Sequence, residues 1–319
     1  MFFGVAKELK KIGVLSLNHR NTEYTLRYNP RHLYPLVDDK LRTKQLALNE
    51  GIAVPELYGV VEINRQIRDL PALLKQYLNF VIKPAHGSGG DGILIISGRS
   101  KEMHRMSNGS LMSQGELGHH VSSILSGMYS LGGHPDKALI EYQVKFDPLF
   151  EAISYQGVPD IRIIVFLGVP VMSMVRLPTR MSGGKANLHQ GAIGAGIDIA
   201  TGTTLTAVWR NDIITEHPDT GNNIMGVQIP NWETLLRLAS CCYDLTGLGY
   251  QGVDIVLDKE KGPLILEMNA RPGLNIQIAN RAGLFPRLKM VEQNHKKLRS
   301  VTERVAFAQE HFSASMNRG

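Results

Sequence analysis

Apolar positions recur along this chain at two spacings, every second residue in some stretches and every third or fourth in others, and the expected elements follow from where each spacing holds. Tyr250-Gln-Gly-Val-Asp-Ile-Val-Leu-Asp258 and Pro263-Leu-Ile-Leu-Glu-Met-Asn269 are apolar, β-branched runs joined by the polar turn Lys259-Glu-Lys-Gly262, which predicts a hairpin. Residues 159–168 and 170–177 predict a second hairpin turned at Gly168-Val-Pro170, and residues 192–210 predict two more strands around Ala200-Thr-Gly-Thr203. Asn79-Phe-Val-Ile-Lys-Pro84 and residues 93–96 read as strands on either side of His86-Gly-Ser-Gly-Gly-Asp-Gly92, and residues 138–144 as a short strand. Helical spacing appears in a short amphipathic N-terminal stretch, over residues 38–51 and 69–77, and after the capping box Ser113-x-x-Glu116. It returns over residues 232–243, where Asn231 is the expected cap and Leu235, Leu238, Ala239 and Cys242 form a stripe for packing under the first hairpin. Residues 275–282 and 288–298 predict two closing helices. Residues 18–30 lack helical periodicity and read as an extended, partly irregular lead-in, and the polar residues 300–319 read as a frayed end. The succession describes an α+β protein.

Composition narrows the class. With 319 residues, 43% hydrophobic and 20% charged, the chain can bury a sizeable core as one lobed domain or as two. The net charge of +6 comes from Lys and Arg scattered along the chain, which suits an anionic nucleotide and gives no reason to expect nucleic acid as a partner. The only cysteines, Cys241 and Cys242, are helical neighbours that diverge too far to bridge, so both are expected reduced. No stretch is long and apolar enough to span a bilayer, and the first residues lack the apolar run and cleavage site of a signal peptide; a cytoplasmic protein is expected.

The candidate chemistry sits on the first hairpin. Glu267 and Asn269 are two apart and leave the same face of a strand, and pairing can bring Asp254 beside them. Such an all-oxygen set suits Mg²⁺ or Mn²⁺, whereas a surface hairpin with solvated acids is the plain alternative. Lys83 ends an apolar strand, and the following Gly87, Ser88, Gly89 and Gly90 are small enough to fold backbone N–H groups over phosphates. No Gly-Lys-Ser/Thr precedes a helix, so this is not a Walker loop; a plain tight hairpin remains the alternative. His119 and His120 have no metal-ligand company and read as surface or packing residues.

Gly252-Val-Asp254 with Gly262-Pro-Leu-Ile-Leu-Glu-Met-Asn269 and Pro272-Gly273 resembles the metal site of the ATP-grasp superfamily, especially its ribosomal-protein glutamate ligase branch. The resemblance implies an ATP-grasp fold in which two α/β lobes clamp ATP with Mg²⁺ or Mn²⁺, two ions being expected. It divides the chain into a short lead-in (1–38) in place of that branch's whole N-terminal domain, an N-terminal lobe (39–145), a C-terminal lobe (146–299) and a polar tail (300–319). It further implies Lys40, or else Lys44, as a phosphate ligand, and backbone groups of Glu141, Tyr142, Gln143 and Val144 around adenine. Asp160-Ile-Arg162 matches that branch's Asp-Ile-Arg, and Lys185, Ala186 and Asn187 stand as nucleotide neighbours in a segment similar to its Asn-Leu-His-x-Gly, with His189 to be watched as an acid–base group. Arg162 and Arg176 could lie near the catalytic face or be paired within the sheet. Arg271 departs from the branch, which has a small residue there, and its fork could hold a reacting carboxylate. The implied activity is an ATP-dependent carboxylate–amine ligase working through an acyl phosphate, with glutamate one candidate. A kinase of the same fold and a nucleotide-regulated binding protein are the alternatives, and a homo-oligomer is left open.

Overall fold

A computed structural model describes residues 2–87, 89–130, 132–210 and 212–314. The chain forms two compact units, one of residues 39–45 and 54–144, the other of residues 1–38, 46–53 and 145–319.

The smaller unit is built on a six-stranded antiparallel sheet in the order β1-β6-β2-β3-β4-β5. Its strands are β1 (Leu57–Val61), β2 (Phe80–Pro84), β3 (Leu94–Ser100), β4 (Met103–Met106), β5 (Leu111–Met112) and β6 (Ala138–Glu141). Phe80 and Ile82 alternate with Val81 and Lys83, so one face of β2 meets Leu117, Val121 and Ile124 of the helix Gln114–Leu125. That helix opens as expected, with Ser113 and Glu116 forming both bonds of the capping box. The other face carries Lys83 and Glu141, together with Leu139 and Ala85 packed on Leu41 of the helix Lys40–Asn49.

The larger unit holds a seven-stranded antiparallel sheet in the order β11-β10-β9-β8-β7-β12-β13. These are β7 (Asp160–Phe166), β8 (Val169–Leu177), β9 (Ile193–Ile197), β10 (Thr204–Trp209), β11 (Asp212–Ile214), β12 (Tyr250–Asp258) and β13 (Gly262–Asn269). Both sequence hairpins are present. The helix Trp232–Thr246 packs on β7, β12 and β13 through Leu235, Leu236, Ala239 and Cys242, while Leu238 is only half-buried. Asn231 precedes it with φ 54° and makes no side-chain cap bond, so the position was readable but the capping chemistry was not. The short helix Ile276–Asn280 lies so close over β9 that a Cβ on Gly196 would stand 2.7 Å from the Ala279 carbonyl oxygen; only glycine admits this approach.

Two expectations are overturned. The lead-in is helical, not extended: Leu17–His19, Arg20–Thr25 and Leu26–Tyr28 follow one another as α, π and α turns. Tertiary packing decides this, because Tyr24 is fully buried and meets Phe166 edge-on at 5.4 Å. Asn29 then locks the segment to the hairpin by donating to the carbonyls of Tyr250 and Ala270 and accepting from the Tyr250 N–H. Residues 1–38 therefore belong to the larger unit. Nor are residues 300–314 a frayed stretch: Ser300 and Glu303 form a capping box for the helix Val301–His311, which buries Val305 and Ala308 and packs on β8 and the helix Trp232–Thr246, while the rest of the expected tail, 315–319, lies outside the described residues. Among the described residues no helix is long and apolar enough to cross a membrane.

Candidate functional site

In the larger unit the register brings distant charges into one row. Asp254 on β12 stands opposite Arg162 on β7 and Glu267 on β13, while Asn269 stands opposite Gly252. A bulge beside the Asp254–Glu267 pair leaves Leu266 without a partner in that ladder and keeps Glu267 and Asn269 on one side. Pro272 packs where a Cβ on Gly252 would be, 2.7 Å away, which seats the chain after β13 against β12.

Two acids and two arginines interlock on these strands. Arg162 donates from Nε and Nη2 to both oxygens of Asp254 at 2.7 and 2.6 Å. Arg176 does the same to Asp160 at 2.5 Å for each bond, and its Nη2 also reaches Asp254 Oδ2 at 2.9 Å. Asp254 is 2% exposed, so two buried negative charges are balanced by two fixed positive ones. Burial alone would raise Asp254, but the Arg162 and Arg176 guanidiniums hold its carboxyl below the usual range. Asp160 goes the other way: burial pushes it up to about 6 against the pull of Arg176, with the like charge of Asp254 adding to the rise. Arg162 and Arg176 thus pair with carboxylates on the inner strands β7, β8 and β12.

Glu267, Asn269 and Asp254 offer the hard oxygens a Mg²⁺ ion takes, so the donor set fits. The fit is incomplete in one respect, since Asp254's oxygens already accept from both arginines and, at 3.5 Å, from Asn269 Nδ2. Glu267 and Asn269 are both half-buried and leave the same side of β13. Among the described residues there is no group of three His, Cys, Asp or Glu side chains able to hold a metal ion.

In the smaller unit, strand alternation sends Lys83 and Glu141 to the face covered by the helix Lys40–Asn49. Glu141, 3% exposed, lies 2.5 Å from Lys83 Nζ and 2.8 Å from Lys44 Nζ, and Lys44 also donates to the Pro55 carbonyl. The two ammonium groups hold the Glu141 carboxyl below its usual value despite burial, and burial lowers Lys44. Glu141 is thus a buried, doubly paired acid and does not face water. Lys40 instead docks on the glycine-rich loop, its Nζ donating to Gly87 O at 2.5 Å. Gly89 and Gly90 have φ of +66° and +83°, the left-handed backbone that favours glycine; Ser88 lies outside the described residues. Beside the loop, His86 is held by buried Asp136, which accepts from its N–H and lies 2.7 Å from its Nδ1.

The remaining candidates scatter. Tyr142 N–H bonds the Glu56 carbonyl, and half-buried Gln143 and Val144 run up to the boundary between the units. Asn187 caps the 3₁₀ turn Leu188–Gln190 by accepting from the His189 N–H; Ala186 is half-buried, and Lys185 and His189 are exposed. Arg271 lies beyond the end of β13, exposed, with its guanidinium 5.3 Å from the Tyr34 ring centre. Read from the sequence, Lys44 stands second to Lys40, and Asp136 is not singled out. For Lys44 a signal existed, because it follows core residue Leu41 by three on the same helix face; for Asp136 there was none.

No curated protein matches the chain. Among solved structures it is similar to the ATP-grasp ligase PsnB complexed with minimal precursor, with 12% identity, a TM-score of 0.46, and coverage of 84% of this chain and 63% of that one. It is also similar to D-alanine–D-alanine ligase from Bacillus anthracis complexed with ATP (14% identity, TM-score 0.44, 90% and 69% covered) and to D-cycloserine synthetase DcsG (15%, 0.44, 85% and 73%). The chain thus spans less than two thirds of PsnB's length. The model of the sugar-transfer associated ATP-grasp family matches residues 19–293, which covers both sheets; it carries the superfamily and gives no support to the narrower glutamate ligase branch. By that match, the chain belongs to the sugar-transfer associated ATP-grasp family.

Proposed function

We propose that this protein is an ATP-dependent carboxylate–amine ligase. The observation that carries the reading is the row Arg162–Asp254–Glu267 with Asn269 at its end, where fixed guanidiniums and hard oxygens share one sheet. A ligase of this kind transfers the γ-phosphoryl group of ATP to a carboxylate oxygen, releasing ADP. An amine then attacks the acyl carbon; the C–N bond forms as the C–O bond to phosphate breaks, phosphate leaves with the electron pair, and the amine gives up a proton.

The residues divide this work by charge. Lys83 and Lys40, with the backbone around Gly89 and Gly90, would hold phosphate oxygens, and residues 141–144 would read the adenine edge. Lys44 would keep Glu141 satisfied when Lys83 turns to phosphate. Glu267 and Asn269, joined by Asp254, would hold Mg²⁺ or Mn²⁺, as one ion or two; when bound, the metal would neutralise the charge of the transferring phosphoryl group. Arg162 and Arg176, or Arg271, would stabilise the acyl oxyanion.

A screen for phosphate release from ATP over pooled amino acids, peptides and, given the family's description, sugar-borne acids and amines tests the reading, with product mass as readout. An amide product together with ADP and free phosphate supports it. Phosphate retained on the acceptor would make the protein a kinase, and no turnover with any pool would favour a nucleotide-regulated binding protein. Glutamate belongs in the pools on resemblance alone.

A further inference from the structure

The larger unit contains a cavity of about 390 Å³ that the proposed ligase chemistry does not use. It lies on β9 and β10, three to four strand spacings from β12, so roughly 14–19 Å of sheet separates it from Asp254. Arg287, only 7% exposed, lines it. Its Nη1 donates to the Val171 carbonyl at 2.7 Å, and its guanidinium lies 5.4 Å from the Phe312 ring centre. Among the described residues that is its one hydrogen bond to protein, and its Nε and Nη2 are not sealed from the cavity. With one of its five N–H donors satisfied by protein, the guanidinium presents the others to the cavity, where an anionic acceptor can take them.

The rest of the lining says which acceptor fits. Arg281, exposed and in the left-handed conformation after the helix Ile276–Asn280, stands at the rim with a second guanidinium. Asp198 supplies one negative charge, with Oδ1 fixed by the N–H groups of Ala200 and Ala314. Two positive charges against one leave room for a single negative charge on a ligand. Thr206 and Asn280 add polar groups, and Phe312, Leu205 and Met225 form an apolar wall. Burial lowers Arg287 to about 10, with Asp198 opposing, so the guanidinium stays charged at neutral pH. Two planar forks beside an apolar wall match a carboxylate better than a phosphate dianion, which would bring one charge too many.

We infer that this cavity is a second ligand site, separate from the Asp254 row, which takes a small carboxylate with its charged end on Arg287 and Arg281 and its apolar body against Phe312. The amino group of an α-amino acid would face Asp198, whereas a simple carboxylic acid would leave Asp198 to Arg287.

Met225 gives a local reporter. The full chain, labelled with ¹³C at methionine methyl groups and with Met225 identified through Met225→Leu, is titrated with sodium acetate, 4-methylpentanoate, L-leucine and isoamylamine, using sodium chloride as the ionic-strength control. The three carboxylates should move the Met225 resonance saturably and isoamylamine should not. Arg287→Lys and Arg281→Asn should each weaken binding by roughly tenfold, as expected for losing a charge-assisted bond; asparagine at 281 tolerates the left-handed backbone. Tighter binding of L-leucine than 4-methylpentanoate, cancelled by Asp198→Asn, would identify an amino acid as the source, and equal binding a simple acid; either supports the site. A Met225 resonance unmoved by every carboxylate, moved equally by isoamylamine, or titrating normally in both arginine variants overturns it.

Discussion

Arg162 faces Asp254 across the β7–β12 ladder and gives it two parallel bonds, at 2.7 and 2.6 Å. Removing one member of such a pair strands the other's charge in the interior, which costs more than removing both. Arg162→Gln should destabilise the protein by about 3 kcal/mol, the low end of the usual range because Arg176 still reaches Asp254. Adding Asp254→Asn should restore much of the melting temperature without restoring ATP turnover. A single variant that melts like wild type would show that the pair is not compensating buried charge.

Glu267 and Asn269 are half-buried on a strand whose neighbours hold the fold, so their oxygens can be lost without emptying the core. Glu267→Gln with Asn269→Ala should abolish ADP formation and melt near wild type. Unchanged turnover would remove the metal site from this hairpin.

Lys83 is positioned by Glu141 at 2.5 Å, and in the proposed ligase its charge would serve phosphate. Lys83→Ala should weaken ATP binding or phosphoryl transfer and leave the choice of acceptor unaltered. If acceptor preference changes while ATP kinetics do not, the loop has another purpose.

Asp160 sets a pH dependence whose sign follows from its rise from 3.8 to about 6. In that window the folded protein keeps a proton that the unfolded chain has lost, so this carboxyl favours the fold at the acid end and its contribution is lost as pH rises through about 6. Asp254, held below 3.8, runs oppositely: its contribution is present above 3.8 and is lost only as pH falls below. The melting temperature of wild type relative to Asp160→Asn should therefore be higher at about pH 4.5 than at about pH 7.5. A constant difference would mean that Asp160 is charged throughout.

Arg271 lies over Tyr34, beyond the strand that carries Glu267 and Asn269. If its fork holds the reacting carboxylate, Arg271→Lys should keep ATP and metal binding and lose on the order of a hundredfold in turnover. Normal turnover would make the Tyr34 contact structural and move the carboxylate site to Arg162 or Arg176.

How far the sequence could be read depended on the range of the interactions involved. The hairpin of β12 and β13, the strand carrying Lys83 and the helix after Ser113 were legible because alternation, turn residues and a capping box act within a few residues. The Arg162–Asp254 pair spans 92 positions and needs the sheet order, which places β7 beside β12 and cannot be derived from either strand alone. The lead-in misled because its polar letters hide Tyr24 and Tyr28, which find Phe166 only in the folded chain. The last helix did show its signal, Ser300-x-x-Glu303, under a composition that looked like a tail.

The lock formed by Asn29 sets an order of assembly during synthesis. Its carbonyl partner on Tyr250 lies 221 residues downstream, so at ribosomal speed the lead-in waits roughly ten to forty seconds for the strand it braces. Residues 54–144 are made in that interval and complete the smaller sheet with partners all drawn from themselves. Every strand of the smaller sheet thus exists before the one that braces Tyr24 has been made.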